Sequence, residues 1–145
     1  MSSTGHRGFD RTIQETNTWL HEIADELGDP RPGIAYHALR GVLFALRYRL
    51  TIEEVFDLSS QLPMLIHGIY FEGYRTSGKP LKMHREAFLE RVHEELAPVG
   101  RVNPETVTRA VLRVLDRHIA AGEVQDVRES LPKDLRSLWP EPATP

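Results

Sequence analysis

The chain is expected to be all-α, a compact helical bundle of two tandem repeats of about four helical segments each, related by a pseudo-twofold axis. Three observations lead there. The sequence matches itself at an offset of 69 residues, the shift that carries Leu62-Pro63 onto Leu131-Pro132. Laying Trp19–Tyr70 over Phe88–Trp139 without a gap gives twelve identical pairs in 52 positions, where ordinary residue frequencies give roughly three to five. Most matched positions are apolar and recur every three or four residues, the spacing of one helix face. No convincing run alternates apolar and polar residues over the length of a strand.

Each element has a local reason. In repeat one, about residues 10–73, Trp19, Leu20, Ile23 and Leu27 form the first apolar stripe; Phe88, Leu89, Val92 and Leu96 mirror it in repeat two, about 83–140. Asp29, Pro30 and Pro32 end the first of these helices, and Pro98 with Gly100 the second. The next helix carries Ala38, Val42, Leu43, Leu46 and Leu50, matched by Val107, Val111, Leu112, Leu115 and Ile119. In repeat two it opens with Asn103 as N-cap and Pro104 at the first helical position, where proline's missing N–H is no loss. These second helices are expected to be the most buried.

Thr51-Ile52-Glu53-Glu54 spells a capping box, which starts a third helix in repeat one, while Gly122 separates the corresponding helices of repeat two. Leu62-Pro63 and Leu131-Pro132 then break the chain alike, since a residue before proline avoids the α region. A short fourth helix follows each break. The turn-rich stretch from Gly73 to Pro80 joins the repeats. Residues 1–8 are expected to be flexible and 141–145 to fray, leaving one domain over 9–145. A half of about 65 residues has only a marginal core of its own, so the two halves are expected to share one.

Composition removes several chemistries and selects none. The 145 residues are 40% apolar and 27% charged, within the range of ordinary globular domains. A net charge of −3 gives no global pull toward nucleic acid or anionic lipid. The absence of cysteine excludes a disulfide, a thiolate nucleophile and a Cys-ligated zinc site. Met1 to Asp10 has no apolar h-region, and the run from Gly41 to Leu46 is far too short for a bilayer. A cytoplasmic protein with no membrane or nucleic-acid partner is expected.

Several segments resemble a known family. They are Arg49-Leu50-Thr51-Ile52-Glu53-Glu54, the run from Gln61 through Leu62-Pro63 to Tyr70-Phe71-Glu72-Gly73-Tyr74, and Phe88-Leu89-Glu90-Arg91-Val92. Gly122-Glu123-Val124, Asp126-Val127 and Leu131-Pro132 through Leu138-Trp139-Pro140 complete the set. In this order and spacing the chain resembles the uncharacterised bacterial domain of unknown function numbered 2267, over nearly its whole length. That resemblance implies a small helical protein; it carries no activity and no site residues.

The residues themselves offer a few candidate sites. Arg40 with Asp57, and Arg109 with Asp126, are retained in both repeats, which predicts an Arg–carboxylate clasp from the second helix to the third in each. Glu90 and His93 have the Glu-x-x-His spacing of di-iron bundles, but their counterparts His21 and Ala24 cannot complete a symmetric site, so a solvated flank is expected. The seven histidines match no metal motif, and neither cofactor nor metal is expected. Arg109, Arg113 and Arg117 form a stripe that Glu105 and Asp116 are placed to blunt. His67, Tyr70, Phe71 and Tyr74 form an aromatic cluster with no equivalent of Phe71 and Tyr74 in repeat two. It fits either a core wedge between the halves or a binding surface.

The functional expectation is a non-catalytic interaction or scaffold module that contacts another protein or a second copy of itself. An alternative is a small apolar or anionic ligand held between the repeats in an enclosed pocket at His67, Tyr70 and Phe71; a further one is an enzyme of unspecified reaction, which requires a cleft holding strongly perturbed titratable groups. A contiguous exposed apolar patch favours the first reading.

Overall fold

A computed structural model describes residues 4–31 and 33–140. Among them lie eight α-helices and no strand: α1 (Arg7–Leu27), α2 (Ile34–Arg49), α3 (Ile52–Ser59), α4 (Met64–Phe71), α5 (Arg85–Leu96), α6 (Pro104–His118), α7 (Ala121–Ser130) and α8 (Lys133–Arg136). Their starts and stops follow local chemistry. The Thr51 hydroxyl accepts from the Glu54 N–H (3.2 Å) while the Glu54 carboxylate accepts from the Thr51 N–H (2.9 Å), the reciprocal pair of a capping box. Asn103 Oδ1 accepts from the Glu105 and Thr106 amides ahead of α6. Pro63 and Pro132 immediately precede α4 and α8. Gly28 stops α1 in the left-handed region, φ 62°, with its N–H returned to Ala24 O.

Helix α1 opens at Arg7, with the His6 ring accepting from the Gly8 N–H, so it takes in residues 7 and 8 of the N-terminal segment. Pro32 and the 141–145 tail, each given a role in the sequence reading, lie outside the described residues.

Helices α2 and α6 are central. Leu39, Val42, Leu43 and Leu46 of α2, with Val107, Val111, Leu112 and Leu115 of α6, are buried. One apolar cluster takes Trp19, Ile23 and Ile66 from the first half and Phe88, Val92 and Trp139 from the second. Full burial of one such side chain contributes about 1.5–3 kcal/mol before chain entropy is subtracted. Helix α2 packs most extensively on α5. Gly41 sits at that crossing, where an added Cβ would lie 3.1 Å from Glu95 Cβ and 3.4 Å from Val92 O. Helix α3 follows α2 after one sharp turn, continues into α4 through Pro63, and packs against α7.

The expected Arg–Asp clasps are not made. Arg40 donates instead to Glu72 Oε2 (2.9 Å) and Glu95 Oε2 (3.2 Å). Arg109 donates to Glu105 Oε1 (3.0 Å) and to Ser137 O (2.9 Å). The reason is the direction of α3: it carries Asp57 toward α7, where Asp57 acts on Glu123, while Arg40 faces α5 and the end of α4.

Candidate interaction surface

Helices α3 and α4 are each eight residues long, and both divide cleanly into two faces. Val55 and Leu58 point inward from α3, as do Ile66 and Tyr70 from α4. Outward stand Phe56, Met64 and Leu65, which remain 54%, 62% and 44% exposed. Phe71 ties this face together: its ring centroid lies 5.3 Å from Phe56, 4.9 Å from His67 and 6.0 Å from Tyr74. The Leu65 N–H donates to the Thr12 hydroxyl (2.9 Å), bringing the start of α1 against α4. Phe9, one turn earlier on α1, is also half exposed.

The aromatic cluster therefore splits. His67 is exposed, Phe71 and Tyr74 are half-buried, and Tyr70 is wholly buried in the core. Burial, and then the neighbouring Tyr74, pushes the Tyr70 phenol well above its ordinary pKa, and its hydroxyl has no hydrogen-bond partner among the described residues. Behind the cluster lies Arg47, a residue the sequence reading did not single out. It is buried, donates to Tyr70 O (2.9 Å) and Glu72 O, and stacks on Phe44 with 3.7 Å from the guanidinium carbon to the ring centroid. A guanidinium on the last carbonyls of α4 complements that helix's dipole. The signal was present in the sequence: Arg47 interrupts the apolar stripe of α2 between Phe44 and Tyr48.

On the other flank of α3 lies a set of acids. Glu54 and Asp57 come from α3, and Glu123 and Asp126 from α7, which packs against it. Burial, followed by the charges of Asp57, Asp126 and Glu54, holds the Glu123 carboxyl above its usual range. Glu54 is engaged in the capping box. The side chains of Asp57, Glu123 and Asp126 have no hydrogen bond or ion pair with any described residue.

A family model described as an uncharacterized conserved protein, DUF2267, matches residues 16–138. The chain belongs to the DUF2267 family. Comparison with curated proteins returns no match.

Elsewhere on this DUF2267 chain, the remaining candidates are accounted for locally. Glu90 and His93 lie exposed on α5. The arginine stripe of α6 is matched by acids: Arg109 by Glu105, and Arg113 with Arg117 by Glu26. Asp116, expected to blunt that stripe, instead accepts from Trp139 Nε1 (3.3 Å). A hollow of about 430 Å³ lies between α1, the α3–α4 turn and the end of α6, lined by Trp19, Gln61, Pro63 and His118. There His118 stacks on Trp19 at 4.7 Å and its Nε2 lies 2.5 Å from Glu22 Oε2. A second, of about 640 Å³, is bordered by Val124, Arg128 and Arg136. Neither of these two hollows is lined by His67, Tyr70 or Phe71. Among the described residues, no helix is long and apolar enough to cross a membrane.

Proposed function

We propose that this protein is a non-catalytic interaction module, built from a doubled helical unit, that docks another protein on the outer face of α3 and α4. The observation that carries the reading is the exposed set Phe56, Met64 and Leu65 on two consecutive helices, with Phe56 and His67 both against the Phe71 ring. Large side chains left in water at adjacent positions are unusual on a surface that serves only solubility. The internal repeat supplies a control within the same chain. At the 69-residue offset the counterparts of Phe56, Met64, Leu65 and His67 are Gln125, Lys133, Asp134 and Arg136. The inward residues keep their apolar character in both copies, so the outward apolar set is a property of repeat one alone.

The pseudo-twofold arrangement is part of the same proposal. Arg40 and Arg109, equivalent at that offset, each run from the second helix of their half to the end of the fourth. Arg47 and Asp116, also equivalent, each bond the aromatic residue there, Arg47 through Tyr70 O and Asp116 through Trp139 Nε1. A cytoplasmic location is likewise proposed, consistent with the absence of cysteine.

The test places a photo-crosslinking phenylalanine analogue at Phe56 or Met64, and as controls at Gln125 or Lys133, in cells that make the protein. A discrete adduct with one other protein at the first two positions, and none at the controls, is expected. Equal labelling at all four positions, or adducts only with a second copy of the chain, would overturn the reading.

A further inference from the structure

We infer that the segment docked here is a cationic amphipathic helix. Its apolar side covers Phe56, Met64 and Leu65, and its Lys or Arg side chains meet the acids of α3 and α7. This inference rests on the docking proposal above and adds the chemistry of the partner.

The acids are the starting point. Several carboxylates elsewhere on the molecule have cations: Glu105 has Arg85 and Arg109, Glu26 has Arg113 and Arg117, Glu72 and Glu95 have Arg40, and Asp29 has Arg31. Others, such as Glu86, Glu90 and Glu94, stand exposed on α5 without one among the described residues. Asp57, Glu123 and Asp126 have none among the described residues, although α3 and α7 bring them together. Like charges gathered without a counter-charge raise one another's free energy, a repulsion that a cation supplied from outside relieves. Both acidic positions are kept in each repeat, as Glu54 with Glu123 and Asp57 with Asp126, whereas the carboxylates of Asp57 and Asp126 have no hydrogen bond or ion pair among the described residues.

A second observation concerns the interior next to them. Tyr70 is fully buried, its hydroxyl has no hydrogen-bond partner among the described residues, and it lies within reach of the charges of Arg47 first and then of Glu123 and Glu54.

The form of the cation follows from the spacing. Among the described residues no three His, Asp or Glu side chains converge closely enough to hold one metal ion. Acids spread over two neighbouring helices suit several separate point charges, such as lysines one turn apart on a helix. The apolar and acidic flanks lie side by side on α3, with Phe56 and Asp57 adjacent in sequence and both exposed. A ligand must then carry its apolar and cationic groups side by side too, which is what an amphipathic basic helix does. The same edge repels phosphates of a nucleic acid or an anionic bilayer.

The experiment uses fluorescently labelled helical peptides of about 14 residues, built from Leu and Lys, Leu and Gln, or Leu and Glu in one amphipathic pattern. Binding to the full chain is read by anisotropy. The Leu/Lys peptide is expected to bind about tenfold or more tighter than the Leu/Glu peptide, with the difference shrinking as salt rises. The double variant Asp57→Asn/Asp126→Asn should weaken the Leu/Lys peptide about fivefold to tenfold and leave the Leu/Gln peptide unchanged. Phe56→Ser/Met64→Ser should weaken all three. These side chains are exposed, and thermal melts verify that each variant folds. If the asparagine variant binds the Leu/Lys peptide as wild type does, the cationic partner is refuted while docking survives. If the serine variant binds all peptides as wild type does, the docking face itself is refuted.

Discussion

Arg40 shows how one side chain can tie separate parts of the chain together. Its guanidinium reaches Glu72 just past α4 and Glu95 on α5, and the bond to Glu72, above all, keeps it protonated more firmly than a free arginine. Removing it leaves two carboxylates near each other without their shared cation. Arg40→Met is therefore expected to lower the unfolding free energy by about 1–2 kcal/mol, since bonds to charged groups lie toward the stronger end of the range and this one is partly exposed. Asp57→Asn should change stability by less than about 0.5 kcal/mol and in the stabilising direction, because its carboxylate has no ion pair among the described residues and its charge repels that of Glu123. Urea denaturation of both variants decides it: equal losses would restore the Arg40–Asp57 clasp that the repeat pattern implied. The sequence marked Arg40 and Asp57 as retained, but retention at matched spacing does not say which way a helix turns between them. Arg47 was overlooked for a related reason, since its partners are backbone carbonyls, which leave no pattern in side-chain identities.

At the scale of the element, what could be read early is what is decided within a few residues. The Thr51–Glu54 box, the Asn103-Pro104 start and the Leu62-Pro63 and Leu131-Pro132 breaks all appear where local chemistry placed them. Pairings between helices were not decided that way, as the packing of α2 on α5 illustrates. Gly41 lies in the middle of α2, where glycine costs about 1 kcal/mol relative to alanine. Its counterpart at the repeat offset is Ala110. The close approach of Val92 O and Glu95 Cβ accounts for the difference, because a side chain at 41 would press on α5. Gly41→Leu should accordingly destabilise by about 1–3 kcal/mol through overpacking, despite leucine's better helix propensity. Calorimetry checks the sign: a raised melting temperature would mean that α2 and α5 are not closely packed at this point.

The whole molecule depends on that contact more than on any single half. Helix α2 buries apolar side chains almost along its entire length, and its largest contact is with α5 from the other half of the chain. Cutting the chain between α4 and α5 would return Val42, Leu46, Val92 and Leu96, now buried, to water together. Each such side chain forfeits about 1.5–3 kcal/mol when re-exposed, against a net stability of about 5–15 kcal/mol for a typical domain. Four of them together are comparable to that whole margin, and the chain-entropy cost of ordering each half stays the same. The intact protein should therefore unfold in one calorimetric transition, with the van't Hoff and calorimetric enthalpies equal. Residues 4–74 or 79–140 made alone should lack dispersed amide proton shifts, and mixing them should recover the helical circular dichroism signal. Two transitions, or a folded half, would show that the core is divided at the linker and that α2 does not hold both halves in one unit.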